Sequence, residues 1–228
     1  MRGSTLRRES ELHSDLFGRG DHIIMIKLHL GKTEGNMNIE INDINLEQVD
    51  SYKHLGVNIS NTGEQETEII ERIGNTSRLY QAIKNSFLNK KEISRAVKMS
   101  VYKTVFISTL IFGCESWVLT KRLKSKIQRM NMLYLRLRRV PGLTRKDRLR
   151  NSFIREELKV DSILNQIEQC QLRWNGHLIR MNNDIPEKGV WEAKMQGKRP
   201  RGRPTKTWND TIEKIVQDRG LTLTEAKS

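Results

Sequence analysis

The stretch Val57-Asn58-Ile59-Ser60-Asn61-Thr62-Gly63 divides the sequence into a β-like part and a helical part. Before it, apolar residues occur in short runs between turn-forming residues, which is typical of strands. We expect a strand over residues 23–30, a hairpin that turns at Asn42-Asp43 between residues 39–41 and Ile44 onward, and a further strand over residues 57–59. Residues 1–22 show no clear periodicity, and we expect them to be disordered.

After Gly63 the apolar residues recur at spacings of three and four, which is the period of a helix. The first predicted helix covers residues 64–87, with an apolar face made of Ile69, Ile73, Tyr80 and Ile83. A second stripe, which ends at Gly113, consists of Ile93, Val97, Val101, Val105, Ser108 and Phe112.

Four further helices are predicted from the same spacing together with start and stop signals. They cover residues 121–140, stopped by Pro141-Gly142; residues 147–158; residues from an Asp161 N-cap to about 181; and residues 207–219, followed by Gly220 at the C′ position. The helix after Asp161 has a predicted apolar face made of Ile163, Ile167, Cys170, Trp174, His177, Leu178 and Met181.

These patterns predict a mainly α fold with a small N-terminal β-hairpin element, a multi-helix bundle and a basic C-terminal region. The predicted parts are a disordered N-terminus (1–22), the β element (23–62), two helical regions (63–142 and 143–196), a basic Pro/Gly ribbon (197–206), and a short helix with a tail (207–228).

The composition indicates a polyanionic partner. The 228 residues carry a formal net charge of +14 and have a pI of about 10, and nucleic acid is the commonest partner of so basic a protein. No apolar run approaches the roughly 20 residues that span a bilayer, and the N-terminus lacks the apolar segment of a signal peptide. We therefore expect an intracellular protein without a membrane partner.

The ribbon Gly197-Lys198-Arg199-Pro200-Arg201-Gly202-Arg203-Pro204-Thr205-Lys206 carries five cations and no acid. Its prolines exclude helix and favour extended backbone before them, and Gly202 has no side chain to hold the backbone away from a surface. Such a ribbon fits the narrow, negative minor groove of A·T tracts, and Arg201-Gly202-Arg203-Pro204 resembles the core of an AT-hook. A solvated basic linker between two helices is the alternative interpretation.

A second basic group surrounds the Pro141-Gly142 break. From Lys121 to Arg155 there are 13 Lys or Arg residues and a single acid, Asp147, so few carboxylates are present to pair with them. We expect this surface to contact phosphates, the alternative being a solvated helix face. The residues concerned are Arg136, Arg138, Arg139, Arg145, Lys146, Arg148 and Arg150.

Catalytic and metal chemistry finds little support in the sequence. Cys114 and Cys170 lack a neighbouring His–carboxylate pair that would activate a thiol, and we expect them, like His177, to be core residues. Cys170 and His177 alone do not supply the four close ligands of a structural zinc site. The tryptophans, among them Trp174, are candidates for stacking on bases, although core packing is the expected role of Trp174. We predict no catalytic residue, no metal and no cofactor.

Five segments follow one another in a specific order. They are Tyr52-Lys53-His54-Leu55-Gly56-Val57-Asn58-Ile59-Ser60; residues 101–105, leading to residues 109–117 (TLIFGCESW); residues 147–151; residues 172–181 (LRWNGHLIRM); and residues 197–204, leading to Trp208-Asn209-Asp210. Each is weak alone, but in this order, over about residues 25–216, they resemble the region after the palm of non-LTR (LINE-type) retrotransposon endonuclease-reverse transcriptases.

The resemblance implies the end of the palm with a primer-contacting hairpin, a helical thumb-like region and a basic C-terminal region. In that family the polymerase carboxylates lie upstream of the Tyr-Leu-Gly segment, and this sequence contains no adjacent Asp-Asp pair. We therefore expect a nucleic-acid-binding fragment that is inactive alone, located in the nucleus, to which an intact reverse transcriptase is supplied in trans.

Two other functions remain open, an AT-hook-like architectural or regulatory DNA-binding protein and an active polymerase. The residues expected to contact DNA or RNA are Tyr52, Lys53, His54, Gly56, Arg136, Arg138, Arg139, Arg145, Lys146, Arg148, Arg150, Lys198, Arg199, Arg201, Gly202, Arg203 and Lys206.

Overall fold

A computed structural model of the chain describes residues 24–25, 40–41, 44–45, 47–61, 63, 65–136, 149–192 and 206–220. The chain divides into two compact units, residues 1–68 and residues 69–228. As predicted, the fold is mainly helical with a small N-terminal antiparallel hairpin. Among the described helices, none combines the length and the apolar character needed to cross a bilayer.

The first unit contains short strands that pair two by two. β1 pairs with β4 in parallel, β2 pairs with β3, and β5 pairs with β6, the last two pairs being antiparallel. The pairing of Ile41 with Ile44 confirms the hairpin predicted around Asn42-Asp43. The strands are β1 (Ile24–Met25), β2 (Glu40–Ile41), β3 (Ile44–Asn45), β4 (Glu47–Gln48), β5 (Ser51–His54) and β6 (Val57–Ser60).

The helices follow in chain order, and three short stretches among them have other helical geometry. The α-helices are α1 (Glu66–Ile83), α2 (Arg95–Val101), α3 (Ile107–Leu110), α4 (Lys121–Arg136), α5 (Asn151–Leu158), α6 (Ile163–Arg180), α7 (Pro186–Glu192) and α8 (Trp208–Asp218). The other stretches are π-helical turns at Lys84–Leu88 and Tyr102–Phe106 and a 3₁₀ turn at Cys114–Ser116.

The core of the helical unit is built around aromatic side chains from two elements. Tyr102, Phe106 and Tyr134 are almost fully buried, and their ring centroids lie 4.5–6.0 Å apart. The Tyr102 hydroxyl donates a hydrogen bond of 2.6 Å to Asn131 Oδ1. Burial raises the pKa of Tyr102 well above its ordinary value, so this hydroxyl is a donor throughout the physiological pH range.

The predicted stripe over residues 93–112 is wrong. Val97, Val105 and Phe112 are 42–49% exposed, whereas Tyr102 and Phe106 are buried. The buried side chains Tyr102, Phe106 and Leu110 recur four residues apart, the first two each one position after Val101 and Val105. The helical stretch therefore buries the neighbouring face, because the aromatic rings remove more apolar surface from water than the valines do.

The ends of the other helices agree with the predicted ends to different degrees. α4 begins at the predicted Lys121, and residues 137–148, where its predicted end lies, are outside the described residues. α6 has Ser162 rather than Asp161 as its N-cap. α8 lies within the predicted range, with Thr207 and Asp210 forming a capping box and Gly220 in the left-handed conformation.

Candidate nucleic-acid interface

The β5–β6 hairpin carries the four nominated residues of the first unit. Tyr52 and His54 are half-buried on one face of β5, with ring centroids 6.4 Å apart, and Lys53 is exposed on the other face. The sequence did not predict β5 as a strand. A two-residue turn through Leu55 and Gly56 joins the strands, and both residues have positive φ. This is the type I′ geometry that favours glycine, so the turn by itself accounts for Gly56.

A hydrogen bond ties the hairpin to the start of α1. The Asn58 N–H donates to Glu68 Oε2 over 2.7 Å, and the Glu68 side chain is buried. The strand β6 is therefore held at its middle by a charged acceptor, which makes a strong hydrogen bond. The face that carries Tyr52 and His54 is thereby fixed with respect to the first turn of this helix.

The α4 helix supplies a strongly basic surface in the described part of the helical unit. It contains six Lys or Arg residues and no acid, and its opposite face buries Leu123, Ile127, Met130 and Tyr134 in the core. The cations therefore lie on the remaining, outward part of the helix. They are Lys121, Arg122, Lys124, Lys126, Arg129 and Arg136.

Arg136 and Arg150 are the two described members of the predicted basic group at 136–150. The Arg136 guanidinium donates to the Leu149 carbonyl over 3.2 Å and to Asn151 Oδ1 over 2.8 Å, which joins the end of α4 to the start of α5. Arg150 is the exposed N-cap residue of α5. The remaining members, Arg138, Arg139, Arg145, Lys146 and Arg148, lie outside the described residues.

Lys206, before α8, lies within electrostatic range of two other lysines, Lys124 of α4 and Lys214 of α8, and we call the three the lysine cluster. Partial burial lowers the pKa of Lys206, and the charges of Lys124 and Lys214 lower it further, whereas Asp210 raises it. Lys206 was nominated from the sequence. Lys124 and Lys214 were missed, because 90 residues separate them in the chain.

Lys206 is also the last residue of the basic ribbon. The other nominated residues of the ribbon, Lys198, Arg199, Arg201, Gly202 and Arg203, lie outside the described residues. The chain therefore leads from the ribbon directly into the lysine cluster and then into α8.

Two of the sequence segments that carry the family resemblance meet at the turn 114–117, where Gln171, the residue just before a third segment, also bonds the backbone. Gln171 Nε2 in α6 donates to the carbonyls of Trp117 (2.7 Å) and Cys114 (3.3 Å). The Trp208 indole N–H, at the start of α8, donates to the carbonyl of Glu115 over 2.7 Å. Thus the segments 109–117, 172–181 and 208–210 either form this junction or lie next to it.

Two residues of the same turn and one of α6 form a group, among the described residues, that could hold a metal ion. Sγ of Cys114, Sγ of Cys170 and a carboxylate oxygen of Glu115 lie within 4.8 Å of one another. Both cysteines are free thiols, and Cys114 is buried as predicted. Burial raises the pKa of the Cys114 thiol, and Cys170 and Glu115 raise it further. Such a thiol remains protonated at neutral pH, and three ligands are fewer than the four of a structural zinc site.

His177 and Trp174 are not core residues, contrary to the prediction. Both are exposed on α6, and their ring centroids lie 5.3 Å apart. Gln171 and Asn175 occupy the buried face instead. The physical reason is hydrogen bonding, because Gln171 is needed at the turn 114–117 and therefore rotates its helix neighbours Trp174 and His177 away from the core.

No protein-family model matches the chain, and no curated protein or solved structure matches it either. The resemblance described above therefore rests on the sequence segments themselves, and the function has to be inferred from the surfaces that the fold presents.

Proposed function

We propose that this chain is a nucleic-acid-binding module that corresponds to the region after the palm of a non-LTR retrotransposon reverse transcriptase. The observation that carries the proposal is the acid-free helix α4, whose six cations lie off its buried face, together with the lysine cluster that includes its Lys124. Like charges held together repel one another, and a polyanion that releases its counterions on binding would offset that repulsion.

The junction at 114–117 supports the correspondence with the reverse transcriptase region. Trp208, from one segment of the resemblance, bonds the backbone of another segment, and Gln171, which directly precedes segment 172–181, bonds the same turn. Such contacts are what a shared fold would require of these positions. The sequence has no adjacent Asp-Asp pair, so the proposed activity is binding and not polymerisation. A nucleic-acid partner would place the protein in the nucleus, with a reverse transcriptase acting in trans.

The test is the salt dependence of binding to a 20-bp duplex, followed by fluorescence anisotropy between 50 and 200 mM KCl. If about five phosphates are neutralised, log affinity falls with log salt at a slope near −4.5, a loss of about 500-fold over this range. The variant with Lys124, Lys206 and Lys214 all changed to Gln removes three contacts. With about two contacts left, its slope should be near −1.8, a loss of about 12-fold.

A charge-matched control separates contact from net charge. Lys84, Lys91 and Lys103 lie outside α4 and α8, and changing all three to Gln removes the same charge. This control should keep a slope near that of the wild type. Equal slopes for the two triple variants would contradict the lysine cluster as the binding surface, and a wild-type affinity that does not respond to salt would contradict the function itself.

The AT-hook-like alternative is favoured by one observation, the ribbon that leads into Lys206. It predicts that a dye bound in the A·T minor groove is displaced by the chain and that Arg203→Ala abolishes most of the binding. Our proposal predicts little displacement and a small effect of this substitution, so the same competition experiment separates the two functions.

A further inference from the structure

The exposed side of α6 carries a small aromatic surface near its C-terminal end. Trp174 and His177 are separated by one helical turn, with ring centroids 5.3 Å apart and ring planes inclined by 37°. Trp174 is 37% exposed, although large aromatic side chains are usually buried. Core packing therefore does not account for the two exposed rings.

Two arginines flank the rings on the same side of the helix. Arg173 and Arg180 are both exposed, and the guanidinium of Arg180 lies over the backbone at Gly176. A Cβ at position 176 would lie 3.2 Å from Arg180 Nη1, so the missing side chain gives the guanidinium room over the helix backbone. We call Arg173, Trp174, His177 and Arg180 the aromatic face of α6.

Few carboxylates are available to neutralise this face. Glu168 is the only acid in α6, and its carboxylate lies 3.6 Å from Arg219 Nη2 of the residue that follows α8. From Gln169 to Arg180 the helix has no acid. The aromatic face thus combines flat apolar rings with positive charge, which is the chemistry that recognises an unstacked base together with its phosphates.

We infer that the aromatic face of α6 is a stacking site for single-stranded nucleic acid, an inference that rests on the proposed function. A base would stack on Trp174, with His177 beside it, while Arg173 and Arg180 contact the phosphates on either side. Single strands are the ligand class because bases in a duplex are already stacked on one another and present no free ring surface.

The experiment uses the full chain with labelled dT15, rU15 and a 15-bp duplex. Trp174→Ala should weaken binding of both single strands by about 5- to 150-fold, the range that stacking of one base provides. Trp174→Phe keeps a ring and should restore most of the affinity. Gln169→Ala, an exposed position on the same helix, is the control and should bind like the wild type. Duplex affinity should change less than twofold in all three variants.

The outcomes separate this inference from the function on which it rests. If the wild type binds neither single strands nor duplex, both proposals fail. If it binds single strands but Trp174→Ala binds them equally well, only the stacking site is refuted. A loss that Trp174→Phe does not restore, or an equal loss for the duplex, would also refute it, because either result indicates disturbed folding and not a missing ring.

Discussion

Replacing Gln171 by Met tests how strongly the junction at 114–117 contributes to the helical unit. The Gln171 side chain is 2% exposed and gives both its N–H groups to carbonyls. The Cys114 carbonyl keeps the Trp117 N–H as a second donor at 3.2 Å, whereas Gln171 is the donor that the described residues provide for the Trp117 carbonyl. The substitution therefore leaves the Trp117 carbonyl without a donor, and it removes one of the two hydrogen bonds that the Cys114 carbonyl accepts.

The expected magnitude follows from these two losses. A buried carbonyl without a donor costs about 1–3 kcal/mol, and losing one of two donors to the other carbonyl costs less. Gln171→Met should therefore lower the free energy of unfolding by about 2–3 kcal/mol. Met has a similar size and adds little cavity cost. With a urea dependence of about 1–3 kcal/mol per molar, the unfolding midpoint followed by circular dichroism should fall by about 1–2 M.

Two further variants make the result decisive. Gln169→Met, on the exposed side of the same helix, should leave the midpoint unchanged. Gln171→Glu places a carboxylate against two carbonyl oxygens and should destabilise more than Met, increasingly so as the pH rises and the buried carboxyl ionises. A Gln171→Met protein as stable as the wild type would refute the reasoning.

Three other predictions concern stability. Tyr102→Phe should lower the free energy of unfolding in urea by about 1–3 kcal/mol, because Asn131 loses its bond to the hydroxyl, and its Nδ2 has no hydrogen-bond partner among the described residues. Adding Asn131→Leu should recover most of this loss. Thr207→Ala removes the N-cap bond to the Asp210 N–H and should cost about 1 kcal/mol by the same measurement, whereas Thr207→Ser should not. Because the pKa of the Cys114 thiol is raised in the folded protein, only the unfolded thiol loses its proton above about pH 8.5. The free energy of unfolding should therefore fall by up to about 1.4 kcal/mol for each pH unit above that value. Cys114→Ala should flatten this part of the pH profile.

The sequence predicted the elements whose periodicity is uninterrupted. The stripe of α1 is an example, since Ile69 and Tyr80 are buried as expected. The prediction was wrong over residues 93–112, where two apolar rows run side by side, because Tyr102 and Phe106 each follow Val101 and Val105 by one position. Spacing alone does not say which of two adjacent rows faces the core.

The candidate interface was predictable only in part. The excess of cations without acids correctly indicated α4 as strongly basic, because charge composition can be read locally. The lysine cluster could not be read in this way, since Lys124 and Lys206 meet only after α8 has packed. The exposure of Trp174 could not be predicted either, because a hydrophobicity pattern favours burial of Trp over Gln. It also carries no information about the backbone carbonyls to which Gln171 donates.

The hydrogen bond between Trp208 and Glu115 also determines how far the basic ribbon can reach. With α7 ending at Glu192 and α8 fastened through Trp208, the segment between them is a tether that is attached to the helical unit at both ends. The sixteen residue steps from Glu192 to Trp208 must go out and return, so the segment cannot extend more than about 29 Å from the nearer attachment. Under the proposed function, Arg201 and Arg203 would therefore contact only nucleic acid near the lysine cluster, where a high effective concentration would compensate for weak intrinsic affinity.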